Sequence, residues 1–168
     1  MSLRIPRALA VLLMTAGLSA AIPACHDSRT PTSATPVSVD PTLTAALARA
    51  IDDEYQAETI YQGVLDDFGA VLPFINVLTA EERHSASIAR LYTARGLAAP
   101  ANTWAVGAVP HFATVPAACA AGVSAEQANI AMYDALLAAA LPADVRQVFT
   151  NNRQASLVNH LPAFERCR

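Results

Sequence analysis

The residue pattern with the clearest chemical meaning in this sequence is Glu81-Glu82-Arg83-His84, which contains Glu-x-x-His. Residues three apart on a helix share a face, so a carboxylate and an imidazole at this spacing can bind one metal ion. Alone, Glu-x-x-His is a weak signal. Here Glu54 and Glu126 lie on helical faces before and after it, and His160 follows further along. Together they match the ligand types of a di-iron centre in a helical bundle.

An internal repeat supports this interpretation. Glu54 precedes Tyr61 by seven residues, and Glu126 precedes Tyr133 by the same number, which relates the two segments by an offset of 72 residues. Each segment therefore places a carboxylate two helical turns before a tyrosine. The tyrosines either donate hydrogen bonds to the ligand carboxylates as outer partners or fill the wide part of an Ala-rich core, and the sequence leaves both open.

Buried carboxylates are costly unless something compensates their charge. Local pairing with arginines or tyrosine hydroxyls is one solution, and a bound metal ion is the other. Glu58 lies one turn after Glu54 on the same face and competes with it as the ligand of the first helix. The repeat favours Glu54 as the ligand and leaves Glu58 as an outer partner.

The fourth predicted helix departs from the di-iron pattern. The residue three before His160 is Leu157, so a second Glu-x-x-His is absent there. We therefore expect Glu126 and His160 to give only two ligands to the second half of the site, and one ion to bind more tightly than any second one. His160 follows Glu126 by 34 residues where His84 follows Glu54 by 30, and the extra residues are assigned to a longer turn around Leu141 to Asp144.

Periodic apolar residues predict four helices that would position these side chains. Their expected ranges are 41–68, 73–96, 116–140 and 143–164, beginning with the cap signal Asp40-Pro41. Short connections pair the first helix with the second and the third with the fourth, and the long segment 97–115 joins the pairs. The predicted fold is all-α, a ferritin-like four-helix bundle of two antiparallel hairpins with a long crossover. Trp104 and His111 are expected to pack the crossover.

Composition agrees with a helical domain and excludes some classes. The 168 residues are 54% hydrophobic and 15% charged, which excludes intrinsic disorder for the body of the chain. The net charge is −3 and the sequence contains no Lys, so nucleic acid is not an expected partner.

The N-terminal segment has the features of a secretory signal. Arg4 and Arg7 precede an apolar run at 8–21, which is too short to span a bilayer. The run ends in Ile22-Pro23-Ala24-Cys25, which resembles a bacterial lipobox. That resemblance implies a signal peptide at 1–24, acylation of Cys25, a Ser/Thr/Pro tether at 25–40 and a helical domain at 41–168. The alternative is an ordinary signal cleaved near Ala24.

A signal peptide predicts a cell-envelope location, where cysteines are oxidised. His26, rather than Asp, follows Cys25, and by analogy with other lipoproteins this favours the outer membrane, facing the periplasm. With Cys25 carrying lipid, Cys119 near the start of the third helix and Cys167 just after the fourth are expected to form a disulfide. The alternative is two free thiols.

Three segments resemble the DUF2202 group of bacterial ferritin-like proteins: Glu54-Tyr-Gln-Ala-Glu-Thr-Ile-Tyr61, Pro73-Phe-Ile-Asn-Val-Leu-Thr-Ala-Glu-Glu-Arg-His84 and Asn159-His-Leu-Pro-Ala-Phe164. The resemblance covers residues 42–167. It implies a ferritin-like bundle and metal binding, without a settled activity. The positions that match ferritin-like ligands are Glu54, Glu81, His84, Glu126 and His160. Carboxylate and imidazole ligands suit iron or manganese, as one ion or as a pair.

The expected function is that of a lipid-anchored envelope protein that binds one or two transition-metal ions and stores or oxidises metal or detoxifies peroxide. The sequence assigns no catalytic residue and does not decide whether the protein is an enzyme. The first alternative is a non-catalytic envelope module with a degenerate metal site. The second is a subunit that binds another envelope protein through 97–115. The expected partners are metal ions, the membrane through Cys25, and a second copy of the chain if the protein dimerises.

Overall fold

The computed structural model describes residues 40–167. The signal peptide predicted at 1–24 and the tether, with Cys25, lie outside this range, apart from Asp40 at the tether's end. All regular structure between residues 40 and 167 is helical, which confirms the all-α prediction. Its elements are α1 (Pro41–Phe68), α2 (Phe74–Thr93), a 3₁₀ turn (Val106–Ala108), α3 (Val115–Leu137), α4 (Ala143–Ala155), a π-helical turn (Ser156–His160) and α5 (Leu161–Cys167). Over this range, no helix is both long and apolar enough to cross a membrane.

The first helix begins and ends as predicted. The Asp40 carboxylate accepts a hydrogen bond from the Thr42 N–H at 2.8 Å, and Pro41 occupies the first helical position. At the other end Gly69 adopts a φ of 76°, and its N–H donates to the Leu65 carbonyl at 2.8 Å. Glycine takes this left-handed conformation at little cost, so it terminates the helix.

The second helix is shorter than predicted. It ends at Thr93 rather than at Gly96, and the chain leaves it through a turn. In that turn the Gly96 N–H donates to the Thr93 carbonyl at 3.0 Å, and Gly96 has a φ of 69°. The glycine thus ends the turn that follows the helix rather than the helix itself.

The third helix begins one residue before the predicted start, at Val115, because Thr114 caps it. The Thr114 hydroxyl accepts a hydrogen bond from the Ala117 N–H at 3.3 Å. The helix ends at Leu137 rather than Ala140. The Arg146 guanidinium donates to the carbonyls of Leu137 and Ala139 at 3.0 and 2.8 Å, and so satisfies groups at the end of the helix.

The two short connections are equal in length, so the longer turn predicted near Leu141 to Asp144 is wrong. Residues 69–73 join α1 to α2, and residues 138–142, also five, join α3 to α4. The extra residues before His160 lie instead within the fourth helical segment. That segment runs from α4 through the π turn into α5.

The π turn before α5 has a local cause in the sequence. Pro162 has no N–H, and in an α-helix its ring would clash with the Val158 carbonyl four residues earlier. The helix widens directly before it, and the Leu161 N–H donates to the Ser156 carbonyl, five residues back. Three-residue spacing no longer marks one face there, and Leu157 is 38% exposed rather than facing the interior with His160.

The long crossover packs along α1 through polar contacts. The Trp104 indole N–H donates to Asp52 at 3.0 Å, and His111 Nδ1 lies 2.7 Å from an Asp67 oxygen. Asp52 and Asp67 lie 15 residues apart on α1, which spans Pro41–Phe68, so the crossover follows much of that helix. Both aromatic residues therefore hold the crossover in place, as expected.

The hydrophobic core is divided into two clusters. Cluster 1 is formed by Leu43, Ala46, Leu47, Ala50, Ile51, Ile88, Leu91, Tyr92, Tyr133, Val145 and Phe149. Cluster 2 is formed by Tyr61, Val64, Phe74, Val77, Leu78, Ala118, Cys119, Val123 and Phe164. In each helical segment, buried polar side chains fall between the residues of the two clusters. The core is therefore two apolar layers with a polar layer between them.

Cluster 2 contains a disulfide and a close helix contact. Cys119 and Cys167 are joined by a disulfide with a Cα–Cα distance of 5.8 Å, as the sequence predicted. Nearby, the backbone of Gly122 lies against the ring of Phe164, where a Cβ on residue 122 would come within 2.7 Å of a ring carbon. Phe164 is fully buried against Tyr61 and Phe74, so its ring has little room to move.

This contact predicts that Gly122→Ala destabilises the protein. Overpacking costs about 1–3 kcal/mol, which exceeds the gain of up to about 1 kcal/mol from replacing glycine within a helix. Urea unfolding should show a lower midpoint for this variant. Gly107→Ala is the matched control, because no atom lies within 4 Å of the Cβ it would add. Equal midpoints for both variants would contradict the close packing of α3 against α5.

Candidate metal centre

The polar layer between the two clusters contains all five predicted ligands. Glu54 lies on α1, Glu81 and His84 on α2, Glu126 on α3, and His160 at the end of the π turn. All five are buried, and their relative exposures lie between 0% and 8%. Their donor atoms form two groups, each within 4.8 Å of one another: Glu54, Glu81 and His84 in one, and Glu81, Glu126 and His160 in the other.

The first group is built around His84. Its Nδ1 lies 2.8 Å from Glu81 Oε2 and 3.4 Å from Glu54 Oε2. The short contact is the three-residue pair on α2, and Glu54 approaches from α1. Two carboxylates and an imidazole therefore converge from two helices.

The second group repeats this arrangement around His160. Its Nδ1 lies 3.0 Å from Glu81 Oε1 and 3.4 Å from Glu126 Oε2. The His84 and His160 rings stack with their centroids 5.4 Å apart and an interplanar angle of 23°. The two imidazoles thus lie side by side, each with its Nδ1 close to one Glu81 oxygen.

The structure brings three candidate ligands to the second half, where the sequence predicted two. Glu81 turns one carboxylate oxygen to His84 and the other to His160, so each half has a histidine, a carboxylate of its own and a share of Glu81. Glu81 thus lies beside both histidines, and Leu157 brings no carboxylate to the second half. Because both halves have three candidate ligands, the reason to expect tighter binding of one ion no longer holds.

The two tyrosines of the repeat hydrogen-bond crosswise. The Tyr61 hydroxyl of the first segment donates to Glu126 Oε1 of the second at 2.7 Å. The Tyr133 hydroxyl donates to Glu54 Oε1 in a short hydrogen bond. The rings of both tyrosines also pack within the apolar clusters, so each fills both of the roles that the sequence left open. Each tyrosine also fixes the direction of one carboxylate.

Three buried polar atoms in this layer lack a hydrogen-bond partner: Glu54 Oε2, Glu126 Oε2 and His160 Nδ1. His160 Nδ1 is within ion-pair distance of two carboxylates, but it has hydrogen-bond geometry with neither. Buried polar atoms are rarely left unpaired. All three belong to the predicted ligands, so the arrangement fits a cation held between them.

Electrostatics agree with a site that needs positive charge. Burial raises the pKa of Glu54 to about 7, with a further contribution from the nearby Glu81 charge. Burial lowers the pKa of each histidine, but the facing carboxylates outweigh it, and the pKa values are about 10 for His84 and about 9 for His160. Without metal, protons on the two imidazoles therefore compensate the buried carboxylates.

Glu58, the rival of Glu54, belongs to neither group. Its carboxylate accepts a short hydrogen bond from the Ser85 hydroxyl on α2, and it is only half-buried. Glu58 therefore borders the centre, and Glu54 is the carboxylate that α1 presents to it.

Further polar contacts surround the centre, and the sequence did not identify Asn129 and Asp53 among them. The Asn152 amide donates to the Tyr133 hydroxyl at 3.1 Å. On another side, the Ser156 hydroxyl donates to Asn129 Oδ1 at 2.9 Å, and the Asn129 amide donates to Asp53 Oδ2 at 2.9 Å. The available signal was Asn129 three residues after Glu126, a polar residue that shares its helical face.

Comparisons with protein-family models, with curated proteins and with solved structures found no match.

The crosswise hydrogen bonds predict unequal effects of three Tyr→Phe variants in protein treated with a chelator. Tyr133→Phe leaves Glu54 Oε1 and the Asn152 amide without their partner, and this should cost about 1–3 kcal/mol of unfolding free energy. Tyr61→Phe removes one hydrogen bond and should cost less. Tyr92→Phe is the control, because the buried Tyr92 donates no hydrogen bond within the described residues. Denaturant titration measures all three, and a loss for Tyr92→Phe as large as for Tyr133→Phe would contradict the role of the hydroxyls.

Proposed function

We propose that this protein binds two transition-metal ions in the layer between its two apolar clusters. Glu54 and His84 would hold one ion, Glu126 and His160 the other, and Glu81 would bridge them. The observation that carries the proposal is the pair of matching three-residue groups that share the two oxygens of Glu81. The unpartnered buried oxygens of Glu54 and Glu126 support it, because a cation would satisfy both.

Iron or manganese is the proposed metal, because carboxylate and imidazole ligands suit both. When bound, such ions supply Lewis acidity and one-electron chemistry. The chain's own contribution is to hold the ligands in a buried layer, with Tyr61 and Tyr133 fixing two of the carboxylates. Storage or oxidation of metal, or detoxification of peroxide, is the function class that we propose for this centre.

We also propose a ferritin-like arrangement for the bundle. Along α1 the chain passes from cluster 1 to cluster 2, and along α2 it returns. The third helix again passes from cluster 2 to cluster 1, and the fourth segment returns. This order supports two antiparallel hairpins joined by the long crossover, which is the ferritin-like topology.

A metal-free structural cluster is the second candidate function for these residues. The observation that favours it is the 2.8 Å contact between His84 and Glu81, which compensates charge without an ion. Protein purified without a His tag and analysed for metal separates the two candidates, because only a metal centre takes up iron or manganese in stoichiometric amounts.

The shared Glu81 predicts the pattern of metal loss among variants. Wild-type protein reconstituted with ferrous iron under anaerobic conditions should bind two ions per chain. His84→Ala and His160→Ala should each lose one ion, because the two halves have equivalent ligands. Glu81→Gln should lower the affinity for both ions by more than about 100-fold, because even the loss of an outer partner lowers metal affinity by about 10–100-fold. Metal analysis and calorimetric titration measure these losses.

Two carboxylates near the centre provide controls. Glu82→Gln changes the exposed neighbour of Glu81, and Glu58→Gln changes the rival on α1. Both should keep two ions. If wild-type protein holds no metal after reconstitution, the metal centre is excluded and the metal-free structural cluster remains as the role of these residues. Retention of both ions by Glu81→Gln with unchanged affinity would show that Glu81 is not the bridge.

We propose that the domain is attached to the cell envelope through a lipid on Cys25, which the lipobox-like Ile22-Pro23-Ala24-Cys25 supports. The disulfide between Cys119 and Cys167 suits an oxidising compartment. Labelled palmitate should enter the protein, and Cys25→Ser should abolish both labelling and membrane association. Ser28→Ala, a change in the same segment, should do neither. A Cys25→Ser protein that stays with the membrane fraction would exclude the lipid anchor.

A further inference from the structure

A small cavity lies between α1 and α3 and connects the polar layer with the side of the bundle. Its volume is about 90 Å³, enough for a few water molecules. Glu81 and Glu126 form part of its wall, together with Asp53, Asn129 and the half-buried alanine Ala125. The cavity therefore reaches two of the five residues proposed as ligands.

The carboxylates in this wall point to a cationic ligand. Glu126 is 2% exposed, and its Oε2 has no hydrogen-bond partner. Further out, Asp53 has one oxygen 3.1 Å from the exposed Arg49 and the other bound to Asn129. A cation moving through the cavity would pass Asp53 and then reach the carboxylates of Glu126 and Glu81, and carboxylates placed in this way attract cations.

A second route to the layer is less suitable for a cation. A larger groove of about 320 Å³ lies between α2 and the fourth helical segment and reaches His160. Its wall contains Ala80 on α2 and Asn159 beside His160, and no carboxylate. The wall of this groove therefore carries no negative charge that would attract a cation towards His160.

We infer that the cavity between α1 and α3 is the path by which a partly dehydrated divalent cation reaches Glu126 and Glu81. This inference rests on the proposed metal centre. Because the cavity is small, only species about as large as water can enter it. Small inorganic ligands therefore pass through it, and larger organic molecules do not. Ala125 is the residue whose small side chain keeps the path open.

Stopped-flow mixing with Co²⁺ tests the path, because visible ligand-field absorption reports binding. Ala125→Leu should slow Co²⁺ association by at least about tenfold, equivalent to about 1.4 kcal/mol in the activation barrier. Its dissociation constant should stay unchanged, because a blocked path slows binding and release alike. Ala80→Leu, in the opposite groove, is the matched control and should bind at the wild-type rate. Ala128→Leu, at the exposed edge of the cavity, provides a second block if Ala125→Leu does not fold.

The remaining outcomes distinguish this inference from the proposed function. If all variants bind Co²⁺ normally at equilibrium and only Ala80→Leu associates slowly, the path lies in the other groove and the inference is wrong. Normal rates in all three variants would also overturn the path between α1 and α3, while the metal centre stands. Wild-type protein that binds no Co²⁺ at equilibrium would remove the centre and the path together.

Discussion

Burial of three carboxylates in one layer is the constraint on which the rest of this structure depends. Glu54, Glu81 and Glu126 are almost fully excluded from solvent, between two clusters of aliphatic and aromatic side chains. Uncompensated charges there would cost several kcal/mol each. The four helical segments must therefore hold their polar residues at one level, so that an imidazole lies close to each carboxylate and a phenol reaches two of them.

The internal repeat meets this constraint by making each half complete the other. Tyr61 and Glu54 belong to one segment, yet Tyr61 hydrogen-bonds Glu126 and Tyr133 hydrogen-bonds Glu54. Neither segment alone would give its carboxylate a phenol donor. Glu81 has no counterpart in the second half, and its two oxygens serve both histidines. The two halves of the centre are thus alike because they share Glu81, a residue that the sequence does not repeat.

Sequence periodicity predicted the helices and placed the five candidate ligands on inward faces, because helical phase depends on local spacing alone. The sharing of Glu81 could not be predicted, since it depends on the side-chain conformation of one residue between two histidines on different helices. The π turn was also missed, although Pro162 causes it, because prolines near helix ends are common without one. Three-residue spacing therefore pairs Leu157 with His160, whereas in the structure Leu157 is partly exposed and His160, at the end of the π turn, is buried.

An ion bound in a layer this well buried would have to exchange with solvent, and the packing restricts where this could happen. Cluster 2 closes one end of the layer, where Phe164 packs against Gly122 and is held by Tyr61 and Phe74. Cluster 1 closes the other end with Phe149 against Tyr133. Under the proposed function, exchange would therefore occur sideways, between α1 and α3, where Ala125 and Ala128 line the small cavity. Alanines thus leave a cavity beside Glu81 and Glu126 at the side of the bundle, while aromatic residues close the two ends of the layer.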